Sequence, residues 1–304
     1  MDVSIIYVNY KTAQLIIDSI RTVKTHTIDL NYEIIVVDNN SEDNSEAIIC
    51  SAFPEVQFIS SPQNIGFGRA NNLAQKIAQG TYQFFLNPDT LLLSNAILTL
   101  VNYLKGNETV GACGVNLVDE EQAPANSFGR FYPSLLEEVL DIFYLKRFTW
   151  HASTSQSYNH TAAPLEVASI VGADLMIPHK VLARVGWFDP DFFMNFEETE
   201  LCFRIHKAGY AIVSVPSAQI IHLEGKSSYV SASRLERFFH GQYVFFFKRY
   251  GIKGAKRLNL IIDLKCSIRL FCFRILQSKT KQDYWQAKRK ANKQVYTQFI
   301  QDRA

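Results

Sequence analysis

No apolar run in these 304 residues reaches the ~18 positions that crossing a bilayer requires. The five cysteines, at 50, 113, 202, 266 and 272, show neither zinc nor redox spacing, so reduced thiols in a cytosolic protein are expected. No Gly-x-Gly-x-x-Gly follows the first strand-like run, which leaves a dinucleotide fold without its fingerprint. The Gly-x-x-x-x-Gly-Lys-[Ser/Thr] phosphate loop is missing as well. The chain enters the strand-like run 3–8 at once, so no signal peptide is expected. Internal repeats and low-complexity tracts are also lacking.

What is present is a strong division of charge. Residues 1–233 hold 14 Lys/Arg against 25 Asp/Glu, a net of −11, whereas residues 234–304 hold 17 against 4, a net of +13. The overall +2 conceals this split, which divides the chain into a first domain, 1–233, and a basic, aromatic helical segment, 234–304. A basic segment seeks an anionic surface.

Strand and helix patterns alternate through the first half. Strands are expected at 3–8, 33–37, 56–60 and 82–86, and helices at 12–25, at 45–51 with Ser41 as cap, and within 66–80. Continuous apolar strands in this rhythm predict an α/β fold with a mostly parallel sheet flanked by helices. A helix at 95–104, a strand at 110–117 and an irregular stretch at 119–165 with a helical patch at 135–144 follow. Strand character resumes at 167–177, a helix is expected at 198–208, and short strands at 211–216 and 219–222.

Three acidic clusters each close an apolar run: Asp38, Asp89 in Asn87-Pro88-Asp89, and Glu197, Glu198 and Glu200. Open α/β sheets bind ligands at the carboxyl edge of their strands. Asp89 suits a divalent cation held together with diphosphate oxygens. The alternative is an Asx turn capping the helix that starts near Ser94. Asp38 suits a nucleobase or ribose, or else the N-cap of the next helix. Gly66, Gly68 and Arg69 at a helix start suit phosphate or polar base contacts, although a loop-to-helix junction explains the glycines equally well. Crowded carboxylates among Phe192, Phe193, Phe196, Leu201 and Phe203 suit a raised pKa and a general base; the alternative is a favourable first helical turn. His222 suits a metal or a diphosphate, helped by Lys226 and Ser227, or is structural.

Together these motifs resemble the family 2 glycosyltransferases with the GT-A fold. The likeness rests on residues 3–10, Val37-Asp38-Asn39-Asn40-Ser41, 64–72, Leu86-Asn87-Pro88-Asp89, Gly172–Arg204 and the stretch from His222 to Ser227. It covers about residues 1–250 and leans toward the rhamnosyltransferase-like branch that builds bacterial cell-surface polysaccharides. The resemblance implies nucleotide-sugar contacts at Val8, Tyr10, Asp38, Asn64, Gly66, Arg69, Asn87, Asp89, Gly172, Ala173 and Asp174. It implies Mg2+ or Mn2+ on Asp89 and His222, and Glu198, or else Glu197, as general base. The implied reaction is an inverting transfer of a sugar, such as L-rhamnose from a dTDP donor, to a saccharide or polyprenyl-diphosphate-linked acceptor. Two departures stand out: Asn87 replaces the first Asp of Asp-x-Asp, and Glu198 replaces the Asp of a Glu-Asp pair. The Gln-x-x-Arg-Trp motif of processive synthases does not occur, so one sugar or a short run per acceptor is expected. A nucleotidyltransferase and a non-catalytic sugar-nucleotide-binding scaffold are the competing readings. The first is disfavoured because Asn9-Tyr10-Lys11-Thr12 has no glycine.

In the basic segment, Leu260, Ile261, Leu264, Ile268, Phe271 and Ile275 share one helical face, interrupted by Leu270 and Phe273 among the charges. Such a helix predicts a membrane-surface element, with attraction of ~1 kcal/mol per basic residue near anionic lipid. The expected location is peripheral, on the inner face of the plasma membrane. A packed subdomain or a homodimer interface is the alternative, and nucleic acid is not expected as a partner.

Overall fold

The computed structural model describes residues 1–143, 157–223 and 231–303; the side chains of 231–233 are not among what it describes. The described elements are β1 (Val3–Asn9), α1 (Ala13–His26), β2 (Tyr32–Asp38), α2 (Ser45–Ala52), β3 (Gln57–Ser60), α3 (Phe67–Leu73), β4 (Tyr82–Leu86), β5 (Thr90–Leu92), α4 (Ala96–Gly106) and β6 (Val110–Val118). They continue with β7 (Phe128–Gly129), α5 (Leu135–Ile142), β8 (Leu165–Glu166), β9 (Ser169–Ile170), β10 (Asp174–Pro178), α6 (His179–Val185), α7 (Glu197–Lys207), β11 (Ala211–His222), α8 (Ser231–Ile275) and α9 (Lys279–Gln301).

Residues 1–132, 157–190 and 197–223 make one compact unit, built on a sheet with the order β3-β2-β1-β4-β10-β6-β11-β5. Strand β1 is parallel to β2 and β4, β2 to β3, and β6 to β11. Strands β10 and β5 run antiparallel to their neighbours. All seven residues of β1 are buried because alternate side chains feed two cores. Ile5 and Tyr7 pack with α1, α2 and α4, whereas Ile6 and Val8 pack with α3, α6 and α7. Burial on both faces is what the unbroken apolar strands require.

The structure revises several expected boundaries. The stretch 167–177 is not one strand; Val171–Ala173 separates β9 from β10, and β10 then runs antiparallel between β4 and β6. The two short strands at 211–222 are one strand, β11, with a register shift between Val215 and Gln219. Pro216 sits in that shift, where its missing N–H costs no ladder bond. Ser41 does not cap α2, whose N-cap is Asn44. Strand β5, three residues long, is unheralded in the sequence.

Gly80 shows how closely the elements meet. A Cβ there would stand 2.3 Å from Ser4 N and 2.6 Å from Val3 C, both backbone atoms of the central strand. Gly80→Ala is therefore expected to destabilise the fold by about 3 kcal/mol, at the upper end for overpacking. A lowered melting temperature in thermal unfolding checks this, and an unchanged one contradicts it.

Residues 133–143, 191–196 and 231–303 make the second unit, which is all helical apart from its connections. Gly251 (φ 65°) breaks α8 into two helical stretches. Phe239, Tyr243, Phe246, Leu258, Ile262 and Phe299 are central to its core. Leu270 and Phe273, which interrupt the expected apolar face, are buried. Leu260, Leu264, Phe271 and Ile275 stay exposed, with Ile261 and Ile268 half-buried. Among the described residues no helix is long and apolar enough to cross a membrane.

Candidate active site

The acidic clusters lie in the first unit, where the strands end. At the end of β2, Asp38 is a hub of its own loop. Asn9 Nδ2 donates to its Oδ1 at 2.6 Å, Ser41 N–H donates to its Oδ2 at 3.0 Å, and the Ser41 hydroxyl donates to it as well. Asp38 is half-buried and keeps part of its acceptor capacity for a ligand. Asn39 and Asn64 bridge this loop to the start of α3: Asn39 Nδ2 donates to Asn64 Oδ1 at 3.0 Å, and Ile65 and Gly66 N–H groups donate to Asn39 and Asn64. Asn9 and Asn39 were missed in the sequence. Their signal is a buried polar residue at a strand end, visible only once burial is known. The Val8 side chain belongs to the core, whereas Tyr10 is half-buried.

At the end of β4, Asn87 N–H donates to Ala173 O at 3.0 Å, tying the Asn-Pro-Asp turn to the turn that contains Gly172. Asp89 caps no helix, since α4 begins six residues beyond Thr90 and is capped by Asn95. Instead β5 pairs antiparallel with the end of β11, with Thr90 opposite His222. That pairing puts Asp89 Oδ1 3.4 Å from His222 Nε2, both nearly buried. Donors bonded at about 2.1 Å to one cation lie about 3 Å apart at right angles, so this carboxylate–imidazole pair fits a divalent cation. Among the described residues no third His, Cys, Asp or Glu completes a cluster. Mg2+ commonly takes its remaining oxygens from phosphate and water. Lys226 and Ser227 lie outside the described residues.

The third cluster opens α7, whose first turn carries Glu197, Glu198 and Glu200. The three separate by role. Glu200 is structural: Arg204 Nε contacts its two oxygens at 2.8 and 2.9 Å, and the same guanidinium donates to Val185 O and Trp187 O. Glu197 and Glu198 instead sit against glycines. A Cβ on Gly68 would be 3.5 Å from Glu197 Cβ, and one on Gly172 would be 3.8 Å from Glu198 Cβ. Glu197 is 4% exposed, and its Oε2 has no hydrogen-bond partner among the described residues. Burial, and then the charge of Glu198, push its carboxyl well above the usual range. Burial also raises Glu198, against hydrogen bonds that lower it, and Glu198 remains half-buried at the surface.

Two expected contacts also make bonds within the fold. Arg69, expected among the phosphate or polar base contacts, is exposed and turns its Nε to Pro190 O, and Asn72 exchanges hydrogen bonds with the Phe188 backbone at 2.7 and 3.0 Å. Together they fasten α3 to the segment before α7's acidic turn. Asp174 is fully enclosed; its Oδ2 accepts from Val115 N–H at 2.6 Å, and burial drives its pKa well above the carboxylate range. Its side chain lies in the core with no exposed surface, whereas the resemblance implied a nucleotide-sugar contact there. Ala173 is also buried. The concavity lined by Gln79, Thr81, Lys105, His179 and Lys180 lies at the opposite edge, where β4 and β6 begin, away from every acidic cluster.

A family profile described as Glycosyl transferase family 2 matches residues 4–162, and one described as Glycosyl transferase family group 2 matches 84–278. N-acetylglucosaminyl-diphospho-decaprenol L-rhamnosyltransferase of Mycobacterium tuberculosis is 26% identical over 255 residues, covering 78% of this chain and 81% of that protein. Rhamnosyltransferase WbbL of Escherichia coli is 27% identical over 201 residues, covering 64% and 74%. Among solved structures, a mannosyltransferase from Pyrobaculum calidifontis in complex with GDP-Man and Mn2+ superposes with a TM-score of 0.61 at 16% identity, covering 99% of this chain and 88% of that one. GalNAc-T7 with UDP, GalNAc and Mn2+ gives a TM-score of 0.56 at 15% identity, over 83% of this chain and 51% of that one.

Proposed function

The chain belongs to glycosyl transferase family 2, has the GT-A fold and is rhamnosyltransferase-like, and from that premise we propose an inverting, metal-dependent transfer of one sugar from a nucleotide-sugar to an acceptor hydroxyl. L-Rhamnose from a dTDP donor is the transfer we favour, with a polyprenyl-diphosphate-linked saccharide as acceptor, in cell-surface polysaccharide synthesis. The names of the two bacterial relatives support that choice.

The observation that carries the reading is the shared turn at 172–173. Asn87 bonds to Ala173 on one side, and Glu198 stands beside Gly172 on the other. The turn that carries Asp89 and the first turn of α7 that carries Glu198 therefore border one stretch of backbone. In the mechanism, Glu198 takes the proton of the acceptor hydroxyl. The freed oxygen forms a bond to the anomeric carbon as the bond to the diphosphate breaks, and the electron pair leaves with the nucleoside diphosphate. Asp89 and His222 would hold Mg2+ or Mn2+, which offsets charge on the leaving diphosphate. Asp38 and Asn64 line the nucleoside end, and Asn87 faces the ribose. Glu197, kept neutral, lets Glu198 carry the only charge of the pair. No covalent enzyme intermediate is needed.

Residues 1–233 do this work in our reading, and the basic segment 234–304 docks the enzyme on the anionic inner face of the plasma membrane. Attraction of its exposed basic residues, such as Lys253, Lys256, Arg257 and Arg274, to anionic lipid supports this. Nucleoside diphosphate release from a panel of nucleotide-sugars, with a polyprenyl-diphosphate-linked saccharide and with or without Mn2+, is the test. Release from dTDP-L-rhamnose that EDTA abolishes is expected. Silence with every donor would leave the non-catalytic scaffold standing.

A further inference from the structure

Among the described residues, eight large hydrophobic side chains are more than half exposed, and seven of them lie on or immediately after α5 and α8 of the second unit. Ile28 is the other. So strong a concentration marks an interaction surface rather than scattered surface hydrophobes.

The cause lies in how α5 is held. Its acids are all engaged within the unit. Glu138 and Asp141 accept from Lys265 Nζ at 2.6 and 3.1 Å, Gln242 donates to Glu138 at 2.8 Å, and Arg269 donates to Asp141 O at 2.6 Å. Glu137 closes a capping box on Ser134. With its charges committed there, α5 leaves Leu136, Val139 and Phe143 outside, at spacings of three and four that define one helical side. On α8, Leu260, Leu264 and Phe271 also share one exposed side, and Ile261, Ile268 and Cys272 lie half-buried between them and the Lys265–Arg269 side that meets α5. Lys253, Lys256, Arg257 and Arg274 are exposed on the same side of α8. Asp263, the acid nearest them in the chain, is bound to Arg289 at 2.7 and 3.1 Å.

We propose that α5 and the second half of α8 form one lipid-contacting face, with Leu136, Val139 and Phe143 entering an anionic bilayer surface beside Leu260, Leu264 and Phe271. The inference rests on the membrane-docking reading above and adds a second helix, from far earlier in the chain, to it. Charge selects the occupant. A second copy of this chain would bring cations against cations, whereas anionic headgroups complement four cations around an apolar centre. The pairing of Lys265 with Glu138 and Asp141 keeps α5 turned outward.

Vesicle cosedimentation of the full chain tests this, using phosphatidylcholine vesicles with and without phosphatidylglycerol. The wild type is expected to bind only the anionic vesicles. The Leu136→Gln/Phe143→Gln variant is expected to bind them about tenfold more weakly, since binding scales with buried apolar area. Its melting temperature should be unchanged, and Ile28→Gln should bind like the wild type. Phe143→Trp keeps the face apolar, and its added fluorescence should be quenched by brominated lipid. Wild-type-like binding by the α5 double variant, or an unquenched Phe143→Trp on bound protein, overturns the two-helix face while leaving docking through α8 intact. No binding by the wild type overturns the docking reading itself. A dimer in solution that the α5 variant dissolves, without vesicle binding, assigns the face to a second copy and overturns the proposal too.

Discussion

Glu198→Gln is expected to lower turnover by about 10²- to 10⁴-fold, the range for loss of a general base, while the donor still raises the melting temperature. Glu197→Gln, one residue away, is expected to keep most of the activity. The difference follows from burial. Glu197 is enclosed with an oxygen that has no partner among the described residues, and burial raises its carboxyl well above the usual range, so Gln copies the protonated form that burial favours. Glu198 is half-exposed beside Gly172 and is the member able to reach an acceptor. Stability gives an independent check. A carboxyl whose folded pKa lies above its unfolded value stabilises the fold fully below the ordinary 4.5 and loses that contribution as pH rises toward the folded value. Gln has nothing to lose, so the melting temperature of Glu197→Gln should gain on the wild type from pH 4.5 upward. Full turnover by Glu198→Gln would end its assignment as base, and a gap that shrinks with rising pH would show Glu197 to be ionised.

The second large effect belongs to Asp89→Asn. With Asn87 in place of an acid, Asp89 carries the only formal negative charge of its turn. Its amide would preserve the shape of the β5–β11 junction and the approach to His222 but would remove that charge. A cation's stabilisation of a leaving diphosphate amounts to several kcal/mol, on the order of 10³-fold in rate. Asp89→Asn is expected to lose about that much turnover. It should also lose the added thermal shift that Mn2+ gives in the presence of nucleoside diphosphate, a reading independent of activity. An Asn variant that retains the Mn2+-dependent shift would move the cation elsewhere.

Much of this arrangement could be read from order along the chain. Asp38 and Asp89 each follow an apolar run long enough to be a buried strand, and strand ends face the ligand edge of an α/β sheet. The acidic turn at 197–200 was visible as a group, but its division was not. Glu200 pairs with Arg204 four residues on, a local pattern, whereas Glu197 sits against Gly68 from a distant segment. The bond from Arg69 to Pro190 O was not legible in the sequence because the two residues lie 121 positions apart. Asp174, implied as a contact by the resemblance and placed inside the expected strand 167–177, is the first residue of an antiparallel strand set between β4 and β6. Local pattern does not show strand direction, and direction decides whether an acid meets solvent or core. Strand β5 escaped notice because three residues cannot establish an alternation.

The junction of β5 and β11 also bears on how the enzyme comes into being. Among the described residues strand β5 has no sheet partner other than β11, which itself pairs with β6 across about a hundred residues. A nascent chain emerging from the ribosome can bury β1, β2, β3 and β4 early, yet Asp89 must wait for His222 to be synthesised and docked. The pair proposed to hold the cation is therefore among the last features this domain acquires during synthesis, and a chain released before residue 222 would hold β1 to β4 without it.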